Sequence, residues 1–348
     1  MLLLPSTKYG GDGTVYDAMA RHPFETAHQV GPYPFRFLVP LVVWALPGTE
    51  FEFHLLGFLG LVVGATVTAV LACDLGVERR LALLAAPVYV LSFAGVYGVW
   101  QYEMIDTEGA AFTSVALLCA WRGRKVLFVV VGMLGAAARE YAATVPLGWW
   151  AAQRGRGHER RALLEALAVG VPILGVYALV QAIVPHPPGG SFMFRNTTYA
   201  YFAQFGLARF LARSLIQSFG VLFLLWPLGL LVGTPRWRSF HLYVVGVIPF
   251  LSVTDWNRMG IYLLPFVVPS ALLVLARQRF AFAVLALAGS ATLAALLSLH
   301  NIPNEAGYPA HAPELVAAGL VATAACLPAV WSLLASARRS SRSVSRPA

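Results

Sequence analysis

Carboxylate and arginine side chains interrupt a chain that is otherwise strongly apolar. Arg139 and Glu140 stand side by side in MLGAAAREYAATV, and Asp255 and Arg258 occur together in TDWNR. Ionised side chains in hydrocarbon are costly, and they are rare unless they line a wet, protein-walled cavity. A carboxylate can act as a general base toward a hydroxyl, and an arginine fork matches the oxygens of a phosphate. These residue types together are typical of a site for a phosphorylated substrate.

Two further groups of charged residues precede long apolar segments. Asp12 and Asp17 lie in YGGDGTVYDAMARHP, and Arg36 follows in GPYPFRFLVP. Glu103 and Asp106 lie in WQYEMIDTEG. Three of these acids have a structural alternative, because Asp12 suits a turn and both Asp17 and Asp106 suit the start of a helix.

The paired residues in the apolar runs also have structural alternatives. Arg139 and Glu140 could form an ion pair that holds a turn, and Asp255 could pair with Arg258 one helical turn away. The histidines show no metal-ligand spacing, and the HExxH, GxGxxG and phosphate-loop motifs do not occur. The sequence therefore indicates no particular cofactor. Binding of a divalent cation by outer carboxylates is an open alternative.

The composition is that of a membrane protein. Of the 348 residues, 58% are hydrophobic and 12% are charged, and the mean hydropathy is +0.69. Soluble domains carry about 25% charged residues. Apolar segments close to the length of a membrane-spanning helix recur, which predicts an all-α, polytopic transmembrane bundle. The expected spans are 53–76, 81–100, 107–121, 160–184, 207–233, 280–299 and 314–336.

The basic residues fall in short clusters between these spans. Such loops lie in the cytoplasm by the positive-inside rule, and here they hold 17 of the 25 Lys and Arg residues but four of the 16 acids. No basic face with interleaved aromatics remains, so we expect no nucleic-acid partner. Segments 126–153 and 239–276 have cytoplasmic clusters on both sides. Each must therefore form a hairpin of two short helices whose charged tip reaches a wet cavity on the outer side.

We expect a single integral-membrane domain with three parts. Residues 1–52 form an acidic outer loop with interfacial helices, residues 53–336 hold the transmembrane helices, and residues 337–348 form a basic cytoplasmic tail. The segment 36–48 is too short to span a membrane. The protein is thus expected to be multi-pass, with membrane lipids as its surroundings.

The order of the charged motifs resembles that of a known family. The chain runs through DGTVYDAMA, PYPFRFLVPLVVW, IDTEGAAFTSVALLCAWRGRK, GAAAREYAATVPLGWW and DWNRMGIYLLPFVVPSALL. Over most of residues 9–275 it looks like the GT-C superfamily of integral-membrane glycosyltransferases, in its bacterial branches. The resemblance implies a protein of the bacterial plasma membrane. It also implies transfer of a sugar, usually with inversion, from a polyprenyl-phosphate donor to a lipid or glycan acceptor on the outer face.

The resemblance also implies roles for residues of this chain. An acid of the first outer loop serves as the base or positions the acceptor, and by position this is Asp12, with Asp17 second. Glu103 and Asp106 match the second acidic site. The residues expected to hold the substrate and its phosphate are Arg36, Arg139, Glu140, Asp255 and Arg258.

Some features depart from the family pattern. Members carry a span before the acidic loop, whereas MLLLPSTKY alone precedes it here, so either the start lies upstream or that span is missing. With no large soluble domain after the last span, acceptor recognition is expected of the outer loops, chiefly 185–206. Two other functions fit the same residues: a transporter or flippase for a glycolipid or small anion, and a non-catalytic membrane assembly factor.

Overall fold

The computed structural model describes residues 12–23, 36–46, 50–100, 105–157, 159–183, 206, 215–248, 256–301 and 312–344. Within these ranges the secondary structure is helical and contains no strand. The expected all-α class is therefore confirmed. Helices suit so apolar a chain because each satisfies its own backbone hydrogen bonds away from water.

The helices follow one another with mostly short connections. In the first half of the chain they are α1 (Asp12–Arg21), α2 (Leu38–Ala45), α3 (Glu50–Asp74), α4 (Arg79–Leu83), α5 (Ala85–Val90), α6 (Phe93–Trp100), α7 (Asp106–Arg122), α8 (Lys125–Ala138), α9 (Val145–Arg154) and α10 (Glu159–Ile183). In the second half they are α11 (Gln217–Phe219), α12 (Leu222–Val232), α13 (Pro235–Phe240), α14 (Leu242–Val247), α15 (Trp256–Met259), α16 (Leu264–Leu275), α17 (Phe280–Asn301) and α18 (Ala312–Val344). Short 3₁₀ helices at Glu140–Thr144 and Gly260–Tyr262 precede α9 and α16.

Among the described helices, four are long and apolar enough to cross a membrane. They agree with the first, fourth, sixth and seventh predicted spans and lie at Phe51–Asp74, Glu159–Ile183, Phe280–Ser298 and Ala317–Ser336. The predicted span 81–100 is a pair of helical segments, Arg79–Val90 and Phe93–Val99, bent by 53°. It makes a fifth span if the pair is counted as one.

Other segments differ from the expected spans. The helix α7 covers the predicted span 107–121, but with 17 residues it is shorter than the four spanning helices. The prediction of one continuous span over 207–233 was wrong in its described part, since α11 and α12 are separated at Gly220, where φ is +57°. Only glycine adopts this conformation at little cost. The helix α18 runs to Val344 and so extends into the segment predicted as a basic tail.

The segment 126–153 forms the predicted hairpin. Its return helix ends beside the last turn of α7, where Gln153 Nε2 donates a hydrogen bond to the carbonyl oxygen of Ala120 at 2.8 Å. The helix α8 begins at that same end, directly after α7. The segment therefore leaves and rejoins one end of the bundle, with Arg139 at its turn.

The second hairpin has the same arrangement in its described part. Ser239 Oγ donates to the carbonyl oxygen of Ala151 at 3.0 Å, so this segment starts beside the end of α9. The returning helix α16 passes α13, where Trp237 Nε1 donates to Ser270 Oγ at 3.0 Å. Residues 249–255, which include part of the predicted tip, lie outside the described residues.

The helices α3 and α7 run side by side. At one end Arg122 Nε lies 2.9 Å from Asp74 Oδ2. Near the other end a Cβ built on Gly60 would lie 2.8 Å from the backbone carbon and oxygen of Thr107. The absence of a side chain at Gly60 thus permits the close approach that positions the first turn of α7.

We expect Gly60→Ala to destabilise the protein, because the added methyl group meets backbone that cannot move unless α3 and α7 separate. Overpacking of this kind costs about 1–3 kcal/mol. Gly175→Ala in α10 is the matched control, since nothing lies within 4 Å of its added Cβ and alanine favours a helix. Thermal unfolding in detergent measures both variants. Equal stability of the two would contradict close packing at Gly60.

Candidate functional site

Three predicted site residues meet at the end of the bundle where the first hairpin turns. Asp106 is the first residue of α7, Arg139 follows α8, and Arg258 belongs to α15. Arg139 Nη2 lies 2.5 Å from Asp106 Oδ1, and Arg258 Nε lies 2.7 Å from Asp106 Oδ2. One carboxylate thus forms an ion pair with an arginine from each hairpin.

A second ion pair connects the first hairpin to the N-terminal helices. Arg36 Nε donates to Glu140 Oε2 at 2.8 Å, and Arg36 Nη2 contacts Glu140 Oε1 in the same bidentate pair. Arg36 Nη1 also donates to Tyr16 Oη of α1 at 2.7 Å. Burial by itself raises the pKa of the Glu140 carboxyl, but Arg36 and Arg139 lower it to about 2. Glu140 is therefore ionised at neutral pH.

These five residues, Arg36, Asp106, Arg139, Glu140 and Arg258, form what we call the charged cluster. Its side chains are buried: Arg139 is 2% exposed and Asp106 is 3% exposed. The expectation that Arg139 and Glu140 face a wet cavity is therefore wrong for the described residues. Charges can be buried in this way because each is paired with an opposite charge, which offsets part of the lost hydration.

The ion pairs of the charged cluster are not the pairs between neighbouring residues that the sequence also allowed. Arg139 pairs with Asp106 rather than with its neighbour Glu140, and Glu140 pairs with Arg36. Asp106 does not cap α7, because Ile105 occupies the cap position and makes no side-chain cap bond. Each of these carboxylates is committed to an arginine from a distant part of the chain.

Local structure explains how Arg139 reaches α7. Its backbone is extended, with φ −156° and ψ 134°, which ends α8 at this residue. Gly109, three residues after Asp106, leaves room for the approach, since a Cβ there would lie 2.7 Å from Arg139 Cβ and 2.6 Å from Tyr262 Oη. The two hairpins can therefore both contact the first turn of α7.

Tyrosines that are not among the predicted site residues surround the charged cluster. Arg139 lies over the ring of Tyr141 at 5.7 Å, and Arg258 lies 6.0 Å from the ring of Tyr97. Tyr262 Oη is buried and has no hydrogen-bond partner among the described residues. Tyr16 and Tyr262 do lie within the charged motifs DGTVYDAMA and DWNRMGIYLL. In an apolar chain, however, a tyrosine of the site has the same local pattern as a tyrosine of the core.

Four predicted site residues are not part of the charged cluster as described. Asp17 pairs with Arg21 on the surface of α1 at 3.0 Å, and its side chain is 38% exposed. Asp12 begins α1, but its side chain is outside the described part of the chain. Glu103 and Asp255 also lie outside the described residues. Their expected roles stay predictions.

The described side chains contain no group of three or more His, Cys, Asp or Glu that could hold a metal ion. The two carboxylates of the charged cluster are bonded to arginines. The side chains of Asp12, Glu103 and Asp255 lie outside the described residues, so a divalent cation bound by outer carboxylates stays an open alternative.

The charged cluster offers guanidinium groups held in a fixed arrangement within a largely apolar bundle. Arg139 Nε is buried and makes no hydrogen bond to any described residue. Arginines fixed in this way suit the oxygens of a phosphate better than mobile lysines do. When the chain is compared with protein-family models, curated proteins and solved structures, it matches none of them.

Proposed function

We propose that the protein is a membrane glycosyltransferase that moves a sugar from a polyprenyl-phosphate donor to a lipid or glycan acceptor. The observation that carries this proposal is the position of Asp106 between Arg139 and Arg258. Two arginines from separate hairpins are oriented by one carboxylate at the same end of the bundle. Such an arrangement favours an anionic group on a substrate embedded in the membrane.

The chemistry of sugar transfer requires a group that stabilises the leaving phosphate. The bond between the anomeric carbon and the phosphate oxygen breaks, and the oxygen of the acceptor hydroxyl bonds to that carbon. The hydroxyl proton passes to a base, while polyprenyl phosphate leaves with one more negative charge than it had in the donor. Arg139 and Arg258 stabilise that charge as it develops, and this lowers the barrier. Asp106 positions both arginines, since each of its oxygens already contacts one of them.

The base in this proposal is Asp12. It begins α1 and precedes Tyr16 by one helical turn, about 6 Å along the helix. Tyr16 bonds Arg36, which in turn bonds Glu140 beside Arg139. The start of α1 is thereby tied to the charged cluster. A carboxylate there is suited to accept the acceptor's proton, and attack opposite the leaving phosphate gives inversion.

We expect Arg258→Lys to reduce donor consumption by about 10²–10³-fold, because lysine keeps the charge but loses the fork that contacts both carboxylate and phosphate. The full chain in nanodiscs would be given a panel of radiolabelled polyprenyl-phosphate sugars. Arg122→Lys is the matched control, since Arg122 pairs with Asp74 at the opposite end of α7. Asp12→Asn should abolish turnover with the fold intact. Full turnover in Arg258→Lys, or no turnover of any donor by the wild type, would contradict the proposal.

A carrier for the same anionic glycolipid is the second candidate. The bent pair of helical segments Arg79–Val90 and Phe93–Val99 favours it, because transporters place broken helices beside their binding sites. Tyr97, in the second segment of that pair, lies beside Arg258. In the same assay, binding of a donor without its consumption, together with movement across vesicles, would favour the carrier over the transferase.

A further inference from the structure

A groove borders the same first turn of α7 that bears Asp106. Glu108 is two residues further along, and side chains two positions apart on a helix do not face each other. Asp106 contacts the arginines, whereas Glu108 lines a groove of about 290 Å³ formed by α2, α3, α7 and α8. One turn of helix therefore presents two carboxylates to two different environments.

The walls of this groove are hydrocarbon. Val42 of α2 and Leu59 and Val63 of α3 line it, and each is more than a third exposed. The groove is therefore open on the outer surface of the bundle, where a membrane protein meets lipid chains. Among its described lining residues, Glu108 is the only polar one.

Glu108 has an unmet hydrogen-bonding capacity inside the groove. Its side chain is almost fully buried, and Thr107 Oγ1 donates to Oε2 at 2.7 Å. The other oxygen, Oε1, is buried without a hydrogen-bond partner, and no described arginine or lysine forms an ion pair with this carboxylate. A buried carboxylate in this condition gains from a ligand that supplies both an N–H donor and a positive charge.

The polar residue lies nearer one end of the groove, since Leu56 lines it only one turn of α3 before Gly60, which is level with Glu108. Glu108 lies in the first turn of α7, and the apolar lining continues through Ala111 and Phe112 to Val115, about 10 Å further along the helix axis. A polar group with a longer apolar path on one side matches an amphiphile with one hydrocarbon chain in the groove. Gly60 contributes to the floor, where α3 comes closest to α7.

We propose that this groove binds one chain of a phospholipid whose headgroup carries a primary ammonium, which donates a hydrogen bond to Glu108 Oε1. The ammonium group supplies the missing donor and the opposite charge together. A quaternary ammonium carries the same charge but has no N–H to donate. The site does not depend on the proposed sugar transfer, because none of the charged cluster lines the groove.

The test compares two phospholipids with identical chains, one with an ethanolamine and one with a choline headgroup. The full chain is purified in mild detergent and stripped of lipid, and each of the two lipids is then added at the same concentration. Native mass spectrometry measures how much of each lipid the protein retains. We expect the wild type to retain the ethanolamine lipid with at least about tenfold higher affinity than the choline lipid. In Glu108→Gln the ratio should fall close to one.

Two further variants keep this test decisive. Glu314→Gln removes an exposed acid from the first turn of another apolar helix, and it should leave the ratio unchanged. Val63→Phe fills the groove from its exposed wall and should weaken retention of both lipids. Equal retention of the two lipids by the wild type, or a preference that survives in Glu108→Gln, would overturn the proposal.

Discussion

Asp106→Ala is expected to destabilise the protein far more than Asp74→Ala, although each change removes the aspartate of an Asp–Arg pair between α7 and a neighbouring segment. Asp106 is buried, and its loss leaves Arg139 and Arg258 close together without the carboxylate between them. Removing one partner of a buried pair costs about 3–5 kcal/mol. The pair of Asp74 with Arg122 is partly exposed, and such pairs contribute about 0–1 kcal/mol.

The measurement is thermal unfolding of the two variants in the same detergent, followed by donor consumption in nanodiscs. The two aspartates are matched controls for each other, because their pairs lie at opposite ends of α7. We also expect Asp106→Ala to abolish turnover even at a temperature where the variant stays folded, since neither arginine is then held for the phosphate. Similar melting temperatures for the two variants would contradict the buried geometry of the charged cluster.

Breaking the pair of Arg36 with Glu140 is the second change with a large expected effect. Glu140→Leu leaves the Arg36 guanidinium buried with its bidentate partner gone, and we expect a loss of about 3–5 kcal/mol. The double variant Arg36→Met with Glu140→Leu should recover most of that loss. Replacing a whole buried ion pair with apolar side chains of similar volume is often neutral.

The control for this prediction is the double-mutant cycle itself, with thermal unfolding measured for both single variants and for the double variant. Additive losses would show that the two residues do not interact. The pH dependence gives an independent check. The folded-state pKa of Glu140 is lowered to about 2. The stabilisation that Glu140 provides should therefore be complete at pH values above the ordinary pKa of a glutamate, and it should be lost as the pH falls toward 2.

The turning point of the first hairpin could be predicted from the sequence, and so could the return of the second segment in its described part. A segment with basic clusters on both sides and charges at its centre has few ways to lie in a membrane. The contacts of Gln153 with Ala120 and of Ser239 with Ala151 agree with this for the described residues. The break at Gly220 was missed, because one glycine in a long apolar run does not alter the hydropathy from which spans are predicted.

The residues of the charged cluster could also be selected from sequence, but their partners could not. Arg36 and Glu140 are separated by 104 positions, and Arg139 and Arg258 reach Asp106 from separate hairpins. Charge type is a local property, whereas pairing depends on which segments the packing brings together. Gly60 and Gly109 illustrate this dependence, because each permits a close approach that involves a residue far away in the chain.

By itself the sequence determined the class of the protein, an all-helical membrane bundle, because apolar length and the placement of basic residues are properties of short segments. Only the tertiary structure decided that the charges are buried in pairs rather than open to water. It also placed Asp106 and Glu108 in different environments on one helical turn. Burial and pairing arise from the contacts of distant segments, which hydropathy and charge along the chain do not contain.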